Sequence, residues 1–129
     1  MEGKKVKDCN LRDVLSCDKN KSIYEVAQEL RENKHRHIII TEGGKPEGVI
    51  STTDITNRVV AEKKDLEKTK AGDIMTTPMI SKDVNEPLSQ VYIEMIRENL
   101  FSCPITKSGK LVGMLDMKEA TQKLLNNSK

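Results

Sequence analysis

The chain has 129 residues, and 22 basic against 20 acidic side chains leave a net charge of +2. This balance argues against broad electrostatic binding to nucleic acid, which needs a concentrated basic surface. The three cysteines lack metal-type spacing, and no apolar run approaches the roughly 18 residues of a membrane span. We therefore expect a cytoplasmic protein that folds as one compact domain or as two very small halves that share a core.

The N-terminal half is predicted to contain two helices. Ser22 and Glu25 have the spacing of a capping box, so the first helix begins after Ser22 and ends near Asn33. A second helix follows from about Thr52, and residues 62–70 form a charged run that we interpret as its frayed end plus a linker. The apolar stripe predicted for the second helix is Ile55, Val59 and Val60.

Short strands are predicted between these helices. The β-branched run 37–41 and the run 48–51 flank a Gly-Gly turn, which indicates a hairpin. The C-terminal half repeats this plan, with an extended piece over 79–81, a helix opened by Pro87 and a last helix capped by Asp116. The apolar positions predicted for the helix after Pro87 are Leu88, Val91, Tyr92, Met95 and Ile96.

Polar and glycine positions recur sixty-five residues apart along the chain. A repeat of this length indicates two copies of one supersecondary unit. We place the repeats at 6–63 and 71–126, with a linker at 64–70, and predict an α+β fold of two β-α-β-β-α units packed as a pseudo-two-fold pair. The matched positions include Asp8 and Asp73, Asp18 and Asp83, Ile40 and Ile105, Thr41 and Thr106, Gly48 and Gly113, and Thr56 and Thr121.

The doubled order of elements resembles a tandem pair of CBS domains, the Bateman module. The run Gly48-Val49-Ile50-Ser51-Thr52-Thr53-Asp54 matches the family pattern of a glycine, two apolar residues, Ser or Thr, and an Asp three residues later. The resemblance covers residues 6 to about 125 and identifies the chain as a small two-repeat protein. It implies a non-enzymatic module that binds AMP, ADP, ATP or, in some members, S-adenosylmethionine in a cleft between the repeats, and that forms flat homodimers.

Asp54 is the principal candidate binding residue. A carboxylate can accept hydrogen bonds from both hydroxyls of a ribose, and Ser51 and Thr53 can contact the ribose or a phosphate. Ser51 and Asp54 also have capping-box spacing, which on spacing alone is the commoner interpretation. The resemblance to CBS domains favours the ribose role.

The basic residues before the first hairpin are candidates for phosphate binding. The CBS pattern assigns this role to Arg36 and His37, although basic residues are also ordinary at a solvated strand entry. His35 and His37 could share a metal ion, but no third ligand is evident and we predict no metal site. The matching stretch of the second repeat, 99–102, is uncharged.

The resemblance also implies an apolar slot for the adenine ring. It maps this slot to Val49 of the first repeat together with Met75, Ile80 and Leu100, although each of these side chains could equally belong to a plain core.

These features predict a sensor that binds one adenine nucleotide and transmits its occupancy to an unidentified partner. The second site, around Asp116 and Glu119, is predicted to be weak or empty, because Glu is longer than Asp and Asp116 adds negative charge near a phosphate. Two alternatives remain open at this point: a ligand-free structural or oligomerisation module and, less favoured, a nucleic-acid-binding protein.

Overall fold

A computed structural model describes residues 3–126, which form two compact units. The first unit spans residues 14–79. The second unit combines the described residues up to Asp13 with those from Ile80 onward. The packing units therefore differ from the sequence repeats in the short segment that begins each repeat.

The first unit is a three-stranded sheet with helices. The strand order is β1-β2-β3; β1 runs parallel to β2, and β2 pairs antiparallel with β3. A five-residue π-helical turn continues the second helix over Thr56–Val60. The elements are β1 (Ser16–Asp18), α1 (Ile23–Asn33), β2 (His37–Glu42), β3 (Lys45–Ser51), α2 (Thr52–Ile55) and α3 (Ala71–Ile74).

Local chemistry sets the ends of these elements. The backbone N–H of Glu25 donates to the Ser22 hydroxyl at 3.2 Å, which confirms the predicted capping box at the start of α1. The β2–β3 turn is built on Gly43 and Gly44, both with positive φ, a conformation that glycine adopts without steric cost. The core of this unit is aliphatic and comprises Ile23, Val26, Leu30, Ile38, Ile40, Ile50, Ile55, Val59, Ala71 and Ile74, with Cys17.

The second unit repeats the topology, with strand order β4-β5-β6, and confirms the predicted α+β class. A 3-10 turn over Val6–Asp8 packs in this unit, and Val6 is fully buried in its core. Its other elements are β4 (Lys82–Asp83), α4 (Leu88–Arg97), β5 (Ser102–Lys107), β6 (Lys110–Asp116) and α5 (Met117–Leu125).

The short segment that begins each sequence repeat packs in the unit formed by the rest of the other repeat. In the first unit, Thr76 exchanges two backbone hydrogen bonds with Val49 on β3, at 2.9 and 3.2 Å. In the second unit, Arg12 exchanges two with Met114 on β6, both at 2.9 Å. We call residues 71–79 and 5–13 the lead-in segments of the first and second units.

This close approach of the lead-in segments explains the repeated glycine. A Cβ at Gly48 would lie 2.8 Å from the Thr76 carbonyl oxygen, and a Cβ at Gly113 would lie 2.9 Å from that of Arg12. Real Cβ atoms do not approach a backbone oxygen this closely, so any side chain at either position would push the lead-in segment away.

Four local predictions were wrong. β3 begins at Lys45 rather than at residue 48, and β4 lies over Lys82–Asp83 rather than over 79–81. Val60 is 58% exposed, because Ile55 and Val59 already occupy the buried side of their helical segment. Ile96 is 53% exposed, because Leu88, Val91 and Met95 form the buried stripe of α4.

Candidate functional site

The start of α2 holds the principal candidate residues. The backbone N–H of Ser51 donates to Asp54 Oδ2 at 2.8 Å, and the backbone N–H of Asp54 donates to Ser51 Oγ at 3.1 Å. These reciprocal bonds confirm the capping-box interpretation. They use one carboxylate oxygen of Asp54, so the capping role leaves the other oxygen available.

Arg58 is the second partner of Asp54. Its Nε lies 3.9 Å from Asp54 Oδ1, which is at the outer limit of an ion pair, while its Nη1 donates to the Ile74 carbonyl at 2.7 Å. Within residues 3–126, Oδ1 accepts no hydrogen bond. The sequence interpretation missed Arg58, although its i,i+4 spacing from Asp54 was a signal for it.

Arg36 and His37 lie next to the start of α2. His37 is the cross-strand partner of Ser51, and the Arg36 carbonyl accepts a hydrogen bond from the Thr52 N–H at 3.0 Å. Both side chains are exposed and make no hydrogen bond or ion pair with other described residues. Thr53 is exposed beside them. The structure therefore places five of the predicted site residues at one junction of strand and helix, and their binding roles remain predictions.

The predicted adenine slot is divided between the two units. Val49 and Met75 both belong to the first unit, where Met75 packs against the core and its Sδ faces Gly48. Ile80 and Leu100 belong to the second unit, where both are partly buried against that unit's core. The grouping of all four around one ring stays a prediction.

The matching position in the second unit is used differently. Asp116, which replaces Ser51, is the N-cap residue of α5 as predicted, but its side chain makes no capping hydrogen bond. Its Oδ2 lies 2.8 Å from Arg12 Nε instead. Glu119, which replaces Asp54, accepts a hydrogen bond from the Asn10 backbone N–H at 2.8 Å. Both carboxylates are therefore held by the lead-in segment of their own unit.

Phe101 occupies the position that corresponds to Arg36. Its carbonyl accepts a hydrogen bond from the Met117 N–H at 2.8 Å, just as the Arg36 carbonyl does from the Thr52 N–H. Its ring is 85% exposed. The backbone is thus preserved at this junction while a cation is replaced by an apolar ring.

A separate pocket of about 220 Å³ lies in the first unit, between α1 and α2. None of the residues predicted to bind a nucleotide lines it, so it is distinct from the junction around Asp54. Its lining residues are Ala27, Leu30, Arg31, His35, Thr52 and Ile55.

The pattern that suggested a family in the sequence is matched along nearly the whole chain. The model of the CBS domain matches twice, over residues 6–61 and 71–126. The chain belongs to the CBS domain family. The doubled match makes it a CBS pair, as the duplication in its sequence predicts.

Two solved structures show what similar CBS pairs bind. A CBS domain protein from Pyrobaculum aerophilum, solved with AMP, is 26% identical; the alignment covers 94% of this chain and 98% of that one, with a TM-score of 0.69. The CBS domain pair of protein MJ0100, solved with 5'-methylthioadenosine and S-adenosyl-L-methionine, is 27% identical over 99% of this chain and 100% of that one, with a TM-score of 0.66.

One curated relative of this CBS pair is an enzyme. The L-aspartate semialdehyde sulfurtransferase of Methanocaldococcus jannaschii is 29% identical over 96% of this chain, which corresponds to only 24% of that protein. The chain spans 58% and 24% of the lengths of the first two curated relatives that it matches. The similarity to the enzyme is therefore confined to its CBS region.

The cysteines of the CBS pair are buried thiols. Burial raises the pKa of Cys9, Cys17 and Cys103 to about 11 each. A thiol with so high a pKa is almost entirely protonated near neutral pH and is a poor nucleophile.

Across residues 3–126, no cluster of three His, Cys, Asp or Glu side chains could hold a metal ion, and no helix is long and apolar enough to cross a membrane.

Proposed function

We propose that this CBS pair is a regulatory module that binds one adenine nucleotide per chain, AMP, ADP or ATP, at the junction of β3 and α2 in the first unit. The observation that carries the proposal is the Asp54 carboxylate. Its Oδ2 is fixed by the capping box, while its Oδ1 accepts no hydrogen bond from residues 3–126. A carboxylate held in this way is oriented for a ligand before the ligand arrives, which lowers the entropy cost of binding.

Each residue of the junction has a proposed role. Oδ1 of Asp54 accepts hydrogen bonds from the ribose hydroxyls, and the Ser51 and Thr53 hydroxyls contact the ribose or the first phosphate. The exposed side chains of Arg36 and His37 bind the phosphates. The planar guanidinium of Arg36 donates two parallel hydrogen bonds. The adenine ring is proposed to contact Val49 and Met75 of the first unit.

The side chains of the second unit disfavour a second nucleotide site at the start of α5. A nucleotide at the start of α5 would have to displace the Asn10 N–H from Glu119 and the Arg12 guanidinium from Asp116. It would also meet the carboxylate of Asp116 where the first unit offers a hydroxyl, and the ring of Phe101 where the first unit offers a cation. Each change disfavours an anionic ligand.

The proposed mechanism is linkage rather than chemistry. A nucleotide that binds one conformation of the module more tightly than another shifts the population toward it, and a partner protein responds to that conformation. The relatives solved with AMP and with S-adenosyl-L-methionine support an adenosine compound as the ligand. S-adenosylmethionine is therefore a further candidate, and the module is proposed to have no catalytic activity of its own.

We further propose that the protein is a homodimer that associates through the second unit. In this unit, four large apolar side chains are exposed on or beside the helices α4 and α5. They are Ile93, Ile96, Phe101 and Leu125.

The same surface favours a second candidate function, a passive association module. In that case the Asp54 carboxylate would serve only as a helix cap. The near-neutral charge disfavours the third alternative, nucleic-acid binding.

Thermal unfolding with each of four ligands, AMP, ADP, ATP and S-adenosylmethionine, separates these functions. A nucleotide at 100 times its dissociation constant stabilises the native state by roughly 2.7 kcal/mol. Asp54→Asn should lose this stabilisation, because the amide no longer carries the charge. Its oxygen can still accept the Ser51 hydrogen bond, so the helix cap should persist. If none of the four ligands stabilises the wild-type protein, the result would support the passive association module instead.

A further inference from the structure

The pocket between α1 and α2 of the first unit has no role in the proposed nucleotide site. Its apolar lining comes from Ala27, Leu30 and Ile55, and its polar rim comes from Arg31, His35 and Thr52. The pocket is a partly open depression, and an apolar floor with a few polar groups at its edge has the composition of a small-molecule site. Its volume of about 220 Å³ is sufficient for a single aromatic ring with one substituent, not for a nucleotide.

The second unit shows what fills this place in the other repeat. Tyr92 stands where the first unit has Ala27, and its ring packs against the core of the second unit. The Thr121 hydroxyl lies 3.2 Å from the Tyr92 hydroxyl, so the ring carries a hydrogen bond at its outer end. Met117, which replaces Thr52, packs there as well. The first unit therefore has a pocket beside the position at which the second unit carries a phenol ring.

The rim changes together with the floor. Arg31 and His35 replace Ile96 and Leu100 of the second unit. Both side chains are exposed and form no hydrogen bond or ion pair with any residue in the described part of the chain. A guanidinium with no partner beside an aromatic-sized slot matches a carboxylate attached to a ring, since its planar fork can donate two parallel hydrogen bonds to it.

We propose that this pocket binds a small aromatic carboxylate, with the ring in the place that corresponds to Tyr92 and the carboxylate paired with Arg31. The imidazole of His35 donates a further hydrogen bond at the rim. The substitution of Ala27 for a tyrosine creates the slot, and the substitution of Arg31 for an isoleucine sets the charge of its ligand. This site is independent of the nucleotide site, because the two share no residue.

The test uses benzoate as the probe and methyl NMR of the whole chain as the readout. Benzoate should shift the methyl signals of Ala27, Thr52 and Ile55 in a saturable manner, with a dissociation constant on the order of 1 mM for a ligand of this size. Acetate, which lacks the ring, and benzyl alcohol, which lacks the charge, should bind at least about tenfold more weakly. Equal binding of benzoate and acetate, or no saturable shift with benzoate, would overturn the proposal.

Two variants that copy the second unit locate the ligand. Arg31→Ile changes an exposed residue, so the fold should persist while benzoate affinity falls about tenfold to the level of benzyl alcohol. Ala27→Tyr should fill the slot and abolish binding of both aromatic probes. Wild-type affinity for benzoate in Arg31→Ile would show that the guanidinium is not the anion partner and would refute the assignment.

A third variant separates this site from the nucleotide site. Asp54→Asn should leave benzoate binding unchanged, whether or not the protein binds AMP. AMP and benzoate should also bind together, with additive shifts. Loss of benzoate binding in Asp54→Asn, or displacement of benzoate by AMP, would show that the pocket belongs to the nucleotide site and would overturn its independence.

Discussion

The starts of α2 and α5 share one backbone arrangement and differ in how their carboxylates are used. In the first unit, Asp54 caps its own helix with Oδ2, and its Oδ1 accepts no hydrogen bond from residues 3–126. In the second unit, Glu119 is one methylene longer and reaches the Asn10 N–H, while Asp116 pairs with Arg12. The same position in a duplicated fold can thus carry a carboxylate that caps its own helix in one copy and a carboxylate tied to the lead-in segment in the other.

The exposed side chains around these two helix starts also differ between the units. The first unit exposes Arg36 and His37 at the junction, and the second unit exposes Phe101 there. The backbone hydrogen bond that closes the junction is kept in both. The closed backbone of the junction is therefore common to both units. The side chains around it differ.

The largest effects on stability are expected where the two units are alike. Gly48→Ala and Gly113→Ala each force a Cβ against a carbonyl oxygen of the lead-in segment, at 2.8 and 2.9 Å. Overpacking of this kind costs roughly 1–3 kcal/mol of unfolding free energy, and urea denaturation would measure it. Gly3→Ala, where a Cβ meets nothing within 4 Å, is the matched control. Equal stability of Gly48→Ala and the control would show that the lead-in segment does not press on β3.

A smaller effect should distinguish the two helix caps. Ser51→Ala removes the side chain that accepts the Asp54 N–H, and a lost N-cap costs about 1 kcal/mol. Asp116→Ala removes only a partly exposed ion pair with Arg12, worth roughly 0.2–1 kcal/mol. Urea denaturation of both variants would rank them. A larger loss in Asp116→Ala than in Ser51→Ala would contradict the different roles assigned to these two positions.

The smallest difference is expected among the thiols, which are buried in both units. Because the pKa of Cys9, Cys17 and Cys103 is raised to about 11, all three should react slowly with a thiol reagent at pH 8 and rapidly once the chain is unfolded. The raised pKa values also predict that stability falls as pH rises from 9 to 11, since the unfolded thiols lose their protons first. Rapid labelling of one cysteine in the native protein would mark a local opening of its unit.

Part of this architecture could be predicted from the sequence, because it depends on local patterns. The capping box at Ser22, the Gly-Gly hairpin and the duplication all follow from residue types at fixed spacing. The exchanged lead-in segments do not, because neither the Thr76–Val49 pairing nor the Arg12–Met114 pairing has a local signature.

The candidate site was predictable to a similar extent. The Ser51–Asp54 spacing serves a helix cap and a ligand site equally well, so it located the residues without deciding between the two roles. The hydrogen bond from Asn10 to Glu119 joins residues 109 positions apart, and no pattern in the sequence connects them. The pocket beside Arg31 is lined by residues from α1, from the segment after it and from the start of α2, and no pattern in the sequence brings these residues together.

Isothermal titration of AMP into the wild-type protein, Asp54→Asn and Glu119→Gln is the most direct test of the difference between the two helix starts. We expect one site per chain in the wild type, at least about tenfold weaker binding in Asp54→Asn, and wild-type affinity in Glu119→Gln. Two equivalent sites per chain, or equal losses of affinity in the two variants, would contradict this expectation.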